Sequence, residues 1–147
     1  MSWCVITCKP SHTLDIVGVL TLHHLRAWTP THVAKVTKPN RYPEQTQPVL
    51  PGFVFIDLEH LPYADRIRKL MPPFKRLKID GRTVVMRDSE IQALKVEPLL
   101  TPGQTVCFRA GPLKGQCGTV EATDDVDILL NVSGDLKCVP SFLVGSV

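Results

Sequence analysis

Seventeen residues, Pro102 to Gly118, constrain what this chain can fold into more tightly than any other stretch. They read Pro-Gly-Gln-Thr-Val-Cys-Phe-Arg-Ala-Gly-Pro-Leu-Lys-Gly-Gln-Cys-Gly. Thr105 to Phe108 is short and β-favouring. It runs into Gly111-Pro112, where glycine tolerates positive φ and proline presets φ for a tight turn. Gly115 and Gly118 then punctuate the start of a second strand. Further strands are expected over residues 118–123, 126–132 and 136–139, separated by Asp124-Asp125 and Ser133-Gly134-Asp135. Short strands at this spacing, with turn chemistry between them, make a small β-barrel that closes its own edges.

Ahead of this region lies a segment of different charge. Through Lys95 there are 14 Lys/Arg against 8 Asp/Glu, and from Val96 onward 3 against 6, so a net charge of +3 divides into a basic first part and an acidic second part. Such a division implies different partners, or attraction between the parts. At 147 residues the chain can bury a core as one domain or as two small ones. No run is apolar enough for a membrane span, and the first residues carry no secretory pattern, so a cytoplasmic protein is expected. Five cysteines, at 4, 8, 107, 117 and 138, include no Cys-x-x-Cys pair and read as buried reduced thiols. Cys4, Cys8 and His12, each four apart, are the sharper alternative as part of a metal site, but no second ligand pair follows.

Taken in order, residues 3–8 read as a strand ended by Lys9-Pro10-Ser11. Thr13 then caps a helix, with Asp15 set against its dipole and Leu14, Ile16, Val17, Leu20, Leu25 and Trp28 on one broad side. The adjacent His23-His24 reads as surface. Residues 27–36 form an edge or bent strand interrupted by Pro30, and residues 37–48, with Lys38 and Arg41, a loop or opened hairpin. Leu50-Pro51-Gly52 turns into a strand, residues 53–58, that is apolar on both faces. Val54, Ile56 and Leu58 lie on one face and Phe53 and Phe55 on the other, so the second face is a further core layer or an exposed aromatic patch.

Pro62 opens a short helix with Tyr63, Ile67 and Leu70 at helical spacing and Arg66, Arg68 and Lys69 on its polar side. Residues 74–79 and 83–86 make a hairpin around Asp80-Gly81. Ser89-Glu90-Ile91-Gln92 has capping-box spacing for a helix reaching Ala93 and Leu94. The fold class expected is α+β, with residues 1–95 as a first domain, 96–101 as a short linker and 102–147 as the barrel.

The Pro102–Gly118 stretch is similar to the KOW motif, through Gly103, Val106, Gly111, Pro112, Leu113, Lys114, Gly115 and Gly118. Trp3 with its strand and Lys9-Pro10 resembles the opening Trp-Tyr-x-x-x-x-x-Lys-Pro of the NusG N-terminal (NGN) domain. Leu50-Pro51-Gly52-Phe53-Val54-Phe55 resembles that domain's Leu-Phe-Pro-Gly-Tyr-Val-(Phe/Leu) strand with one residue fewer, and Arg87-Asp88-Ser89-Glu90-Ile91 stands, as a looser match, where the family has its closing helix. The order of these features resembles the NusG/RfaH (Spt5-like) transcription elongation factors along nearly the whole chain. The resemblance implies an NGN-type antiparallel sheet with flanking helices followed by an SH3-like KOW barrel. It implies no catalysis and no cofactor.

By the same resemblance the first domain binds the clamp helices of the largest RNA polymerase subunit, suppresses pausing, antiterminates and raises processivity. Phe53 and Phe55, with Thr7 and Leu50 beside them, would form the apolar docking surface. Thr7 stands where relatives often carry an aromatic. Lys9, His12, Arg66, Arg68 and Lys69 would face non-template DNA or the opposing polymerase lobe. In general NusG proteins a Phe-Gly-Arg loop helps engage ribosomal protein S10 or Rho, so S10 or other Nus factors are the partners the resemblance implies; Ser133-Gly134-Asp135 stands in its place here. That change, with the short linker, is more similar to a specialised, phage or mobile-element paralogue. The barrel is expected to keep its fold rather than switch to helix, because Val/Ile/Thr-rich strands oppose one. Two other functions fit parts of the chain: a KOW-containing RNA- or ribosome-binding module contacting through Arg109 and Lys114, and a thiol hydrolase using Cys4 or Cys8 with His12.

Overall fold

In a computed structural model the structure describes residues 2–34, 45–92, 100–124 and 127–146. It is mixed α and β, mostly sheet with few helices. The chain divides into two compact units, Ile6–Lys75 and Met1–Val5 with Arg76–Val147.

Within the unit Ile6–Lys75, strand β1 (Ser2–Cys8) ends at Lys9-Pro10, and a 3-10 turn at Pro10–His12 leads into helix α1 (Thr13–Leu22). The helix buries Thr13, Ile16 and Leu20, spaced by three and four residues as a single inward stripe requires. It is shorter than the sequence pattern predicts. His24 adopts φ 59°, a left-handed conformation that ends a helix, and Leu25 and Trp28 therefore lie outside it. Thr13 is also not the cap residue: it is buried in the first turn, where its hydroxyl donates to the Pro10 carbonyl at 2.7 Å.

The chain then extends through β2 (Ala27–Trp28) and β3 (Thr31–Ala34), broken at Pro30 as expected. Strand β3 pairs antiparallel with β4 (Gln45–Pro48), Thr31 opposite Pro48 and Ala34 opposite Gln45, which realises the hairpin alternative for this segment. Lys38 and Arg41 lie outside the described residues. Strand β5 (Phe53–Asp57) is buried at all five positions. Leu58 leaves the strand: Asp57 accepts a 3.0 Å hydrogen bond from the Glu59 amide, starting a 3-10 turn, and Leu58 is partly exposed. Helix α2 (Leu61–Arg66) has Pro62 in its first turn, and a second 3-10 turn follows at Arg68–Leu70. Its inward residues are Leu61 and Ala64, not the predicted set; Tyr63 is 52% and Leu70 60% exposed. The helix stops after Arg66, and the 3-10 turn that follows breaks the spacing that would have aligned Leu70 with Tyr63. Strand β6 (Phe74–Arg76) completes the order β2-β5-β1-β6.

In the unit Met1–Val5 with Arg76–Val147, the first residues of β1 pair antiparallel with β9 (Val85–Arg87), Trp3 opposite Met86. Strands β7 (Lys78–Ile79) and β8 (Arg82–Thr83) form the Asp80-Gly81 hairpin, with Ile79 opposite Arg82. Both turn residues take positive φ, 52° and 76°, the requirement of a two-residue type I′ turn. Helix α3 (Asp88–Gln92) is held at its start by the Glu90 carboxylate, which accepts from the Arg87 amide at 2.9 Å, so the box closes on Arg87 rather than Ser89. Asp88 accepts from the Trp3 indole at 3.1 Å. Ala93, Leu94 and residues 96–99 of the expected linker lie outside the described residues.

The remaining strands, β10 (Thr105–Phe108), β11 (Cys117–Thr123), β12 (Asp127–Val132), β13 (Asp135–Pro140) and β14 (Val144–Ser146), form one antiparallel sheet of order β13-β12-β11-β10-β14. The first four stand within a residue of the expected positions; β14 and the 3-10 turn Ser141–Leu143 before it are additional. Val106, Phe108, Val120, Ile128, Leu130, Val139 and Leu143 build its core. A register shift between Val120 and Ala122 interrupts the β11–β12 ladder, as a bulge that bends a sheet does.

Candidate functional site

Two of the stretches that carry the resemblance in the first part, residues 3–10 and 50–55, meet at one junction. The Cys8 amide donates to the Gly52 carbonyl at 2.9 Å, and the Gly52 amide donates to the Thr13 hydroxyl at 2.7 Å. Gly52 holds φ +89°, and a Cβ placed there would lie 3.0 Å from the Cys8 carbonyl oxygen. Glycine meets both demands without strain. The Thr13 side chain, accepting from Gly52 and donating to Pro10, thus locks the end of β1, the start of α1 and the turn before β5 together.

Around this junction the expected docking residues separate into supports and surface. Phe53 is 6% exposed and Phe55 fully buried, so neither offers an open aromatic face. Burial on both sides of β5 makes its second face a further core layer, one of the two alternatives that the sequence leaves for it. Thr7 and Leu50 are half-buried, and the Thr7 hydroxyl contacts the Lys75 carbonyl at 3.4 Å. Beside them an aromatic that stays accessible is Trp28. It stands on β2, at the edge of the sheet and opposite Phe55, with 39% of its surface exposed and its ring 5.7 Å from that of Phe55. Beside it, Thr29 is buried and donates to the Phe53 carbonyl at 2.9 Å. The sequence pattern hides Trp28 because it falls in phase with the α1 stripe; the signal that separates them is the extended pair ahead of Pro30.

The basic residues also differ among themselves. Lys9, Arg66 and Lys69 are exposed. The Arg66 guanidinium lies 5.4 Å over the exposed Tyr63 ring, presenting a cation and an aromatic side by side. Arg68 is committed within the fold. It pairs with Asp65 at 3.0 Å, donates to the Phe74 carbonyl at 2.7 Å and covers the buried Phe74 ring at 4.0 Å. His12 is half-buried. Its Nδ1 is enclosed, with no hydrogen-bond partner among the described residues.

Cysteine chemistry departs from the expectation of five reduced thiols. Cys107 and Cys117, opposite each other on β10 and β11, are joined in a disulfide. Cys4 is buried, Cys8 half-buried and Cys138 exposed. Burial pushes the Cys8 thiol above its ordinary range, against a smaller opposing effect of the Thr13 hydroxyl, so Cys8 is a poorer nucleophile than a free thiol. Among the described residues no group of three or more His, Cys, Asp or Glu is placed to hold a metal ion. No helix among them is long and apolar enough to cross a membrane.

In the KOW-like stretch, Gly103, Gly111 and Gly115 take φ of 88°, 86° and 89°, and Gly118 is needed for space, since a Cβ there would lie 2.6 Å from the Asn131 carbonyl oxygen. Val106 and Leu113 are buried, and Pro112 is half-buried. Lys114 pairs with Glu90 at 3.3 Å, and the Arg109 guanidinium lies across Gly145 where any side chain would stand. Lys137 pairs with Asp80 at 2.7 Å. In both of these ion pairs the acidic second part supplies the cation, the reverse of what the charge division suggests.

No protein-family model matches the chain, and no curated protein matches it in sequence. Among solved structures it is similar to a chain of the MjSpt4:Spt5 complex in conformation A, at 19% identity and a TM-score of 0.34, covering 100% of this chain and 98% of that one. It is likewise similar to NusG of Thermotoga maritima, from a structure on its domain interaction, at 14% identity and a TM-score of 0.35 with the same coverage. Conformation B of MjSpt4:Spt5 matches at 18% identity and a TM-score of 0.34, covering 100% and 97%.

Proposed function

We propose that the chain is a non-catalytic transcription elongation and antitermination factor of the NusG/Spt5 kind, which docks on the clamp helices of RNA polymerase in the cytoplasm and increases processivity. The observation that carries this reading is the Cys8–Gly52–Thr13 junction. The Trp-led strand and the Pro-Gly-aromatic strand, each a weak signal in sequence, are joined there by hydrogen bonds through the backbone of a glycine with positive φ.

In this reading Trp28 is the docking aromatic, Phe55 and Phe53 are the buried base that holds it in place, and Thr7 and Leu50 border it. A partly exposed tryptophan on a rigid support is the kind of residue that dominates a protein interface. Lys9, His12, Arg66 and Lys69 serve the non-template DNA strand or the opposing polymerase lobe, while Arg68 positions the turn that carries Lys69 and follows Arg66. Contact with phosphate weakens as salt rises, because bound counterions are released. The S10 or Rho partner of the second part is the remaining element of the proposal, with Ser133-Gly134-Asp135 as the altered contact.

The test is capture of core polymerase by purified chain. Trp28→Ala is expected to weaken capture about tenfold or more, the scale of an aromatic hot spot. Lys9→Glu is expected to reduce binding mainly at low salt. Both substitutions are at exposed positions, and circular dichroism verifies their folds. Undiminished capture by both variants overturns the docking surface, and no capture by the wild-type chain overturns the function.

A further inference from the structure

The bond between Cys107 and Cys117 sits where it can act on a loop without being needed to make it. The two residues face each other in the register of β10 and β11, ten positions apart in sequence, and bracket residues 108–116. That loop is already closed by backbone hydrogen bonds. Phe108 donates to the Gln116 carbonyl at 2.8 Å, Gly115 to Phe108 at 3.0 Å, Gln116 to Leu113 at 3.0 Å and Lys114 to Gly111 at 3.2 Å. Its own Ala110 and Leu113 are buried. With so much local closure, removing the covalent link leaves the turn specified. Cys107 is also opposite Gly145 on its other side, so the bridge ties β11 to the strand on which the edge strand β14 hangs.

Accessibility favours exchange. Cys117 is exposed and Cys107 half-buried, so an external thiolate can reach the Cys117 sulfur. In compartments where thiols are kept reduced, a protein disulfide is usually transient and sensing rather than a permanent staple. The proposed work beside RNA polymerase is in such a compartment, and the inference rests on that reading for this point alone.

We propose that Cys107 and Cys117 form a reversible dithiol–disulfide switch that sets the stiffness of the Gly111–Gly115 turn and of the β10–β14 edge. A dithiol reductant opens it. Its first thiolate attacks Sγ of Cys117, the Cys107–Cys117 bond breaks, and Cys107 leaves as a thiolate that takes up a proton. The second thiol of the reductant then attacks the mixed disulfide, freeing Cys117 and closing the reductant's own disulfide, so that two electrons and two protons pass to the protein. Glutathione disulfide reverses the change. Cys117 attacks it and releases one glutathione, and Cys107 resolves the mixed disulfide and releases the second.

The measurement uses the purified full chain equilibrated with glutathione disulfide or with dithiothreitol. Alkylation in denaturant is expected to label three thiols in the first case, Cys4, Cys8 and Cys138, and all five in the second. Amide exchange at Phe108, Gly115 and Gln116 is expected to be about tenfold or more faster in the reduced protein, with the rest of the sheet retained, as local opening predicts. A Cys107→Ser, Cys117→Ser chain is expected to exchange at the reduced rate in both conditions, while Cys138→Ser keeps the full response. Five labelled thiols after glutathione disulfide, or equal exchange in the two wild-type states, overturns the switch. These readouts require no polymerase, so their failure is separate from failure of the docking surface.

Discussion

Strands β5 and β12 are both central and both built around aliphatic residues, yet they are buried differently. Every residue of β5 from Phe53 to Asp57 is enclosed, whereas β12 alternates between half-buried and buried from Asp127 to Val132. A strand covered on both faces is a slab within a layered core. A strand wet on one face is the wall of a small sheet. The difference teaches where each region leaves side chains exposed. In the first, surface chemistry is displaced to the sheet edge at Trp28 and to the ends of helices. In the second, it lies on the turns and on the outer face of the sheet itself.

The comparison can be broken by substitution. Phe55→Ala is expected to cost about 3–5 kcal/mol, the range for emptying a buried aromatic site, and to remove the support beneath Trp28. Leu129→Ala on the half-buried face of β12 is expected to cost about 1 kcal/mol. Urea unfolding measures both, and similar costs would erase the distinction between slab and wall.

A smaller effect separates the two kinds of turn. Gly134 holds φ +90° in open space, and Gly134→Ala is expected to cost about 1 kcal/mol for left-handed strain alone. Gly52→Ala meets the Cys8 carbonyl as well, and about 2–3 kcal/mol is expected from strain and overlap together. If the two glycines prove equally replaceable in thermal unfolding, the junction of β1, α1 and β5 is looser than its geometry indicates.

The smallest expected effect is a pH dependence confined to the second region. Burial, and then the nearby Asp124 carboxylate, raise the Asp127 carboxyl above its ordinary value. A carboxyl raised in the folded state binds its proton more tightly there than when unfolded. Its ionised form therefore opposes folding at neutral pH, and that opposition fades as pH falls through the raised value toward the ordinary carboxylate range. Asp127→Asn is expected to be slightly more stable than wild type at pH 7 and to lose the advantage on acidification. An advantage that grows at low pH would reverse the sign and the assignment.

Turn chemistry was the most legible part of the chain. Asp80-Gly81, Gly111-Pro112 and Ser133-Gly134 each produce the turn that their residues require, and Gly134 donates to the Asn131 side chain at 2.9 Å to finish the last of them. Such turns are decided by φ preferences within a few residues, and the strands between them follow. The site was less legible. Trp28 matched a helical stripe that His24 cuts short, and Tyr63 and Leu70 matched one that ends at Arg66. Arg68 looked like its basic neighbours until Asp65 and Phe74 were placed against it.

By itself the sequence determined the α+β character, the order of strands and the glycines that turn them, because these depend on local conformational preference and on alternation along the chain. Tertiary structure alone decided that Phe53 and Phe55 are interior, that Trp28 is the aromatic left at the edge, that Gly52 must fit against Cys8, and that Cys107 and Cys117 face each other. Each of those facts depends on which segment arrives beside which. Burial, close approach and cross-strand register are properties of pairs distant in sequence, and no single stretch carries them.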